Sequence, residues 1–300
     1  MKKHLFAIAA ATVAATLLPA GAMAQSTDTL AKVKASGKVV MGVRETSSPL
    51  SYTVGDGKFA GYHVELCERV LKALAPAAKI EYTPVTSANR IPLVQNGTVD
   101  IECGSTTNNV GRQKDVAFAV TTYVTEVRTA VKVKSGITSI AQLNGKNVAT
   151  TTGTTSVALL RKNERATGVD FKEVYGKDHG DSFLLLESGR ADAFVMDDNL
   201  LAGLIASSSA PKDYAIVGET LNVEPIAIMV RKDDPAFKKA VDDQIIGMMK
   251  SGDLDKLYTK WFMSPIPPKN TNVNLPMSGL LKGLIAAPND KPAEDFNAKK

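Results

Sequence analysis

The hydrophobic residues of this chain follow two alternating spacings from residue 38 onwards. Short runs rich in Val and Ile have the character of buried strands, and apolar residues in the segments between them recur every three or four positions, as in an amphipathic helix. The pattern predicts strands at 38–43, 79–85, 99–103, 146–151, 171–175 and 191–196, and helices at 62–75, 90–95, 155–165, 182–188, 235–250 and 253–262. Repeated strand–helix–strand units predict an α/β fold whose mainly parallel sheets are covered by helices.

Two longer stretches, 118–134 and 215–231, interrupt this alternation. Each reads as extended chain, long enough to leave one sheet and enter another. We therefore predict two lobes joined by two hinge strands, with a ligand cleft at the carboxyl ends of the strands. The predicted boundaries are 30–122 and 222–262 for a discontinuous lobe 1, 123–221 for lobe 2, and 263–300 for a Pro-rich tail that wraps the surface.

Residues 1–24 have the three parts of a secretory signal peptide. Lys2 and Lys3 precede an apolar stretch at 5–18, and the Ala-Met-Ala sequence at 22–24 supplies the small residues of a cleavage site. A membrane anchor is the alternative, but the apolar stretch is shorter than the ~20 residues that span a bilayer. We expect cleavage and export to the periplasm.

Composition narrows the class of protein. Hydrophobic residues make up 44% of the chain and charged residues 22%, which argues against intrinsic disorder. The net charge of +5 comes from scattered basic residues, so a nucleic-acid partner is not indicated. Three His and two Cys leave little material for a metal centre, and the common nucleophile, phosphate-loop and metalloprotease motifs are missing. We predict no cofactor, no metal and no catalytic site.

Basic and hydroxyl-bearing residues follow the predicted strands. Arg44, Arg90 and Arg112 come after three strands of the first lobe, and Thr155 opens a helix in the second. Arg pairs bidentately with carboxylates, and helix N-termini add a partial positive charge. This combination favours a small anion with more than one carboxylate, and Asp197 at the rim suits an ammonium group.

Each of these residues also has a structural interpretation. Thr155 and Asp197 suit the start of a helix, His179 suits an ordinary loop, and a single Arg after a strand is often a surface residue. Three Arg at equivalent strand ends favour ligand binding. A protonated His179 predicts that anion affinity weakens as the pH rises through its pKa, whereas a neutral His179 predicts constant affinity from about pH 5 to pH 8.

The two Cys residues allow two interpretations. Cys67 lies on the buried face of a predicted helix, and Cys103 alternates with Val99 and Ile101 in a predicted strand, so both face one core. An exported protein meets an oxidising compartment. A disulfide and two buried thiols both fit, because sequence spacing does not set the distance between them.

Several longer motifs resemble those of the periplasmic glutamate/aspartate-binding proteins of ABC importers. They are TSANRIPL at 86–93, ECGSTTNN at 102–109, KDHGDSF at 177–183, MDD at 196–198 and SPIPPKN at 264–270, within a likeness that extends over about 30–290. The resemblance implies a two-lobed type II periplasmic-binding-protein fold that closes on an acidic amino acid. It also implies delivery to an ABC permease in the inner membrane, without catalysis.

The matching motifs assign a role to nine residues. By this resemblance Arg44, Ser87, Arg90 and His179 hold the side-chain carboxylate, Ser105, Thr107, Arg112 and Thr155 hold the α-carboxylate, and Asp197 holds the ammonium group. The sequence Glu-Pro-Ile-Ala at 224–227 departs from the family, which carries an aromatic residue after the Pro or Ala, so the preference between glutamate and aspartate stays open.

Two other functions share this fold. One is a secreted dehydratase or lyase, which needs an acid or base beside its substrate. The other is a ligand-binding module of a sensory receptor, which differs only in its partner. We expect a monomeric binding protein.

Overall fold

The structure is a computed structural model that describes residues 28–297, so the predicted signal peptide lies outside the described residues. The strands are β1 (Lys38–Val43), β2 (Thr46–Ser47), β3 (Ser51–Gly55), β4 (Lys58–Ala60), β5 (Lys79–Pro84), β6 (Ile101–Glu102), β7 (Val116–Phe118), β8 (Tyr123–Lys132), β9 (Asn147–Thr151), β10 (Lys172–Gly176), β11 (Ala193–Asp197), β12 (Tyr214–Ile226) and β13 (Met229–Arg231). The helices are α1 (Thr29–Ser36), α2 (Tyr62–Leu74), α3 (Arg90–Gln95), α4 (Thr155–Thr167), α5 (His179–Glu187), α6 (Asp198–Ser207), α7 (Pro235–Ser251), α8 (Asp253–Phe262), α9 (Gly279–Ala286) and α10 (Ala293–Asn297). None of the helices in this range has the length and apolar character needed to cross a membrane.

Five strands form the first sheet, in the order β5-β1-β6-β13-β7. β1 runs parallel to β5 and β6, and β13 returns antiparallel between β6 and β7. Helix α2 buries Leu66, Cys67, Val70 and Leu71 in the largest hydrophobic core. Of the two interpretations of the cysteines, the structure contains the disulfide, which joins Cys67 to Cys103 and so ties α2 to the loop after β6.

His63 supports the same loop from one turn earlier in α2. Its Nδ1 lies 2.6 Å from the carbonyl oxygen of Gly104, and its Nε2 lies 2.9 Å from the hydroxyl of Thr122. Because a carbonyl only accepts hydrogen bonds, Nδ1 carries the proton. Burial lowers the pKa of His63 to about 4, so the ring is neutral and its role is structural.

A small antiparallel sheet, β2-β3-β4, follows β1. The hydrophobic pattern predicts no element there, because strands of 2, 5 and 3 residues are too short to show a period. Main-chain bonds from its loops to the start of α2 hold this sheet beside the cleft, including Tyr62 N–H to the Pro49 carbonyl at 2.9 Å.

The second sheet has the order β10-β9-β11-β8-β12. β9, β10 and β11 are parallel, while β8 runs antiparallel to both β11 and β12. Helix α5 begins at His179, three residues before the predicted start at 182. Its first turn, residues 179–182, is polar, so hydrophobic periodicity becomes visible only after that turn.

Two crossings connect the sheets, and they pair with each other where they leave the second sheet. Residues 119–122 lead from β7 into β8, and β12 pairs with β8 as far as Ile226 opposite Tyr123. The predicted lobe boundary at 221/222 therefore falls inside β12.

The C-terminal tail packs beside both crossings. It contains helices α9 and α10, which its Pro-rich composition did not predict. The N–H of Thr121 donates to the carbonyl of Asn289 at 2.9 Å. The side chain of Asn297 accepts from the N–H of Val223 at 3.1 Å and donates to its carbonyl at 2.8 Å.

Candidate functional site

Six loops meet in the cleft between the two sheets. The first lobe contributes the loops after β1, β5 and β6, and the second contributes those after β9, β10 and β11. These loops and the adjoining ends of strands and helices carry the nine residues named by the resemblance: Arg44, Ser87, Arg90, Ser105, Thr107, Arg112, Thr155, His179 and Asp197. All except Arg112 and Thr155 are buried. The structure thus brings the predicted residues together, at two ends of the cleft that differ in chemistry.

Arg44 organises the first end. Its guanidinium is fully buried and donates through Nη1 to Ser105 Oγ at 3.2 Å and through Nη2 to Ser87 Oγ at 3.0 Å. Nη2 also donates to Asp178 Oδ1 at 2.7 Å, across the cleft. Nε has no hydrogen-bond partner among the described residues. Arg44 therefore links the two lobes at the first end of the candidate site.

His179 lies against Arg44 as a neutral ring. Its Nε2 is 3.3 Å from Arg44 Nη2, and its Nδ1 is 3.0 Å from the hydroxyl of Thr151. A guanidinium can only donate, so Nε2 accepts and Nδ1 carries the proton. Burial, together with the charge of Arg44, lowers the pKa of His179 to about 3 despite the opposing charge of Asp178. Of the two protonation states considered from the sequence, this geometry favours the neutral one.

Arg90 is the least satisfied cation of the cleft. Its side chain is 2% exposed, and the hydrogen bond described for it runs from Nη1 to the Ser105 carbonyl at 3.5 Å. Its Nε has no partner within residues 28–297. Burial and the charges of Arg112 and Arg44 lower the pKa of Arg90 well below its usual range, against the attraction of Glu102. A buried cation with free donors is stabilised by an anion placed against it.

The second end is built around a carboxylate that the sequence analysis does not place in the site. Glu224 Oε2 accepts from the hydroxyl of Thr107 at 2.5 Å and from that of Thr155 at 2.8 Å. Arg112 lies beside them and donates to the carbonyl oxygens of Thr107 at 2.9 Å and Gly153 at 3.3 Å. This end therefore combines one guanidinium with several acceptor oxygens.

Asp197 adds a second acid at this end. It closes β11 and is 4% exposed. Burial raises its pKa well above the usual range, and the nearby charges of Glu224 and Asp198 raise it further, while Arg90 and Arg112 oppose the shift. A cation beside Asp197 would remove this penalty.

The cleft is closed by direct contacts between the lobes. Asp178 Oδ2 accepts from the hydroxyl of Thr46 at 2.6 Å, and the N–H of Gly180 donates to the same hydroxyl at 3.0 Å. Between the loops after β5 and β9, Gly153, with φ of +82°, lies so close to Ala88 that a Cβ on it would sit 2.7 Å from the Ala88 Cα. Only glycine allows this approach of two main chains.

Capping does not explain the polar residues at the helix starts. Asp178 and Asp197 are the N-cap residues of α5 and α6, yet neither side chain bonds to its helix N-terminus. Thr155, in the first turn of α4, donates to Glu224 instead. Side chains that could cap a helix thus face the cleft.

Three acids in or beside the site, Glu102, Asp178 and Glu224, do not appear among the residues assigned from sequence. Glu102 is fully buried, its charge acts to raise the pKa of Arg90, and its Oε2 accepts from Thr106 at 2.8 Å. An acidic residue within an apolar returning strand, as at Glu224, is the signal that would have revealed one of them. Ile226, the departure from the family, is fully buried and pairs with Thr107. Across residues 28–297, no group of three or more His, Cys, Asp or Glu side chains is arranged to hold a metal ion.

Comparison with known proteins gives a consistent result. Residues 39–264 match the bacterial extracellular solute-binding proteins, family 3. The chain is 47% identical to an L-glutamate/L-aspartate-binding protein of Pseudomonas aeruginosa, over 95% of this chain and 96% of that protein. It is 44% identical to a glutamate/aspartate import solute-binding protein of Escherichia coli, over 97% and 98%. A periplasmic binding protein from Brucella ovis, solved with glutathione bound, superposes with a TM-score of 0.71 at 26% identity, covering 76% of this chain and 73% of that one. The chain therefore belongs to family 3 of the bacterial extracellular solute-binding proteins.

Proposed function

We propose that this protein captures L-glutamate or L-aspartate in the periplasm and delivers it to an ABC permease. The observation that carries the proposal is Arg90, a buried guanidinium with free donors at one end of a cleft whose other end holds Asp197 and Glu224. An amino acid with a second carboxylate places an anion at the first end and an ammonium group at the other. The names of the two relatives above agree with this ligand class.

The roles of the residues follow from the two ends. Arg44, Ser87, Arg90 and His179 surround the side-chain carboxylate, with the guanidinium groups as the charged donors. Arg112 holds the α-carboxylate and Asp197 the ammonium group. Ser105, Thr107 and Thr155 also line the cleft, and their hydroxyls already donate to Ser47 and Glu224.

Closure of the lobes is driven by the ligand. When the lobes close without a cation, Asp197 is buried beside Glu224, and its raised pKa reflects the cost of keeping it ionised. When they close without an anion, Arg90 is buried beside two other Arg residues, and its lowered pKa reflects the corresponding cost for a cation. The ligand offsets both penalties only in the closed form, so it shifts the population toward that form. Each charge-assisted hydrogen bond contributes roughly 1.5–3 kcal/mol, so a few suffice for micromolar binding at about −8 kcal/mol.

Catalysis is not favoured for this cleft. An enzyme of the dehydratase or lyase type needs a group that exchanges protons near neutral pH. His179 does not supply this group, because its pKa is about 3 and its ring nitrogens are engaged by Arg44 and Thr151. Asp197, the acid with the raised pKa, is assigned to the ammonium group. The full-length relatives are solute-binding proteins.

Calorimetry of the exported chain with glutamate, aspartate, glutamine and alanine tests the proposal. We expect the two acidic amino acids to bind with micromolar or tighter dissociation constants and glutamine to bind at least about 100-fold more weakly, because a neutral side chain leaves Arg90 unpaired. Tighter binding of glutamine than of both acidic amino acids would contradict the proposal. Mass spectrometry of periplasmic protein checks the predicted cleavage after residue 24.

A further inference from the structure

Glu224 lies between the two lobes and accepts hydrogen bonds from both of them. It lies on β12, a hinge strand, and is fully buried. One of its oxygens, Oε2, accepts from Thr107 of the first lobe and from Thr155 of the second. The other, Oε1, accepts from the side-chain amide of Asn222 at 3.1 Å. A single carboxylate thus joins the hydroxyls of both lobes at the second end of the cleft.

These hydrogen bonds determine whether the hydroxyls of Thr107 and Thr155 can donate to a ligand or only accept from it. A Thr hydroxyl has one proton and two lone pairs, and an ionised carboxylate only accepts. Because Thr107 and Thr155 both donate their proton to Glu224, their oxygens present lone pairs to the cleft. Lone pairs accept from an ammonium group and repel a carboxylate.

Arg112 takes no part in the hydrogen bonds to Glu224. Its described hydrogen bonds go to two main-chain carbonyl oxygens, those of Thr107 and Gly153, and not to Glu224. The guanidinium therefore stays beside the site as the donor for an α-carboxylate, while Glu224 and Asp197 supply negative charge for the amino group.

We infer that Glu224 is a positioning residue that holds Thr107 and Thr155 as hydrogen-bond acceptors, so that the site selects α-amino dicarboxylates over dicarboxylates without an amino group. This inference rests on the proposed function. It revises the expectation from the resemblance that both hydroxyls hold the α-carboxylate, and assigns them to the ammonium group instead.

The variant Glu224→Gln tests this, with glutamate and glutarate as paired ligands that differ in the amino group. A Gln amide nitrogen donates to the hydroxyl oxygens, which turns their protons toward the ligand. We expect the glutamate affinity to fall by about tenfold or more, while the glutarate affinity is unchanged or rises. Glu219→Gln, an exposed position on the same strand, is the matched control and should leave both affinities unchanged.

The outcomes separate the inference from the proposed function. Equal losses for glutamate and glutarate would mean that Glu224 only supports the fold, and would overturn the inference. Failure of the unaltered protein to bind any acidic amino acid would overturn the proposed function itself. If Glu224→Gln does not fold, Thr155→Val must give the same split between the two ligands, and an equal loss there counts against the inference in the same way.

Discussion

The two ends of the cleft differ in the sign of the charge that burial penalises. At the guanidinium end, defined by Arg44, Ser87, Arg90 and His179, donors outnumber acceptors and the costly buried group is a cation. At the hydroxyl end, defined by Thr107, Arg112, Thr155, Asp197 and Glu224, acceptors dominate and the costly buried group is an acid. On the proposed function, selectivity arises from these two separate deficits, each of which a different part of one ligand satisfies.

The largest expected effect comes from removing the unpaired cation. Arg90→Met keeps an unbranched apolar stem but removes the guanidinium and its charged donors. We expect the glutamate affinity to fall by about 10- to 100-fold, because a charge-assisted hydrogen bond to a buried carboxylate is lost. Calorimetry should also show that discrimination against glutamine shrinks, since only the guanidinium end is altered.

Arg165→Met, at an exposed position near the end of α4, is the control for Arg90→Met. It should bind glutamate as the unaltered protein does. An Arg90→Met protein that loses affinity for glutamate but keeps its full discrimination against glutamine would break the division into two ends.

A smaller change in glutamate affinity is expected for Asp178→Asn, and its direction is opposite to the one that charge alone predicts. Simple charge counting predicts that Asp178→Asn tightens anion binding, because a negative charge beside Arg44 disappears. We expect instead about tenfold weaker glutamate binding, since Asp178 holds Arg44 and Thr46 together across the closed cleft. Calorimetry gives the affinity, and small-angle scattering with saturating glutamate reports whether closure is incomplete.

Asp181→Asn supplies the comparison for Asp178→Asn, because Asp181 is exposed in the first turn of the same helix. It should change neither affinity nor closure. Tighter glutamate binding by Asp178→Asn would show that repulsion, and not the link between lobes, dominates at this position.

The smallest expected effect is that of pH on affinity. With a pKa of about 3, His179 stays neutral between about pH 5 and pH 8, so its titration should lower the glutamate affinity by less than about threefold as the pH rises over that range, whereas ionisation of Asp197, whose pKa is raised, acts in the opposite direction. Titrations in buffers of increasing pH check this. A steady loss of affinity as the pH rises would mean that a protonated imidazole holds the ligand.

Stability should respond to pH even where affinity does not. The pKa values of His63 and His179 are about 4 and 3 in the folded protein and about 6.5 when unfolded, so the unfolded chain binds more protons in acid. The stabilisation from these neutral rings is complete above pH 6.5 and declines as the pH falls toward those values. Denaturant unfolding at pH 7 and pH 5 distinguishes this from a loss of binding.

Much of this architecture was predictable because its signals are local. Helix periodicity located α2 and α8, and the order of strands placed Arg44 and Arg90 at one edge of a sheet. The pairs that complete the site are not local. Asp178 meets Arg44 across 134 residues, and Glu224 meets Thr155 across 69. The spacing of residues along the chain does not predict contacts between residues so far apart in sequence. No sequence motif identifies an acid that accepts hydrogen bonds from hydroxyl groups.

The approach of Gly153 to Ala88 has a consequence for ligand size. Main chain meets main chain there, with no flexible side chain to yield, and the carbonyl of the same glycine anchors Arg112. A solute one methylene longer than the site accommodates would hold the lobes apart. The protein would then lose both the contact of Gly153 with Ala88 and the hydrogen bond from Arg112 to Gly153. On the proposed function, the length of the solute is therefore limited by a main-chain contact between the lobes.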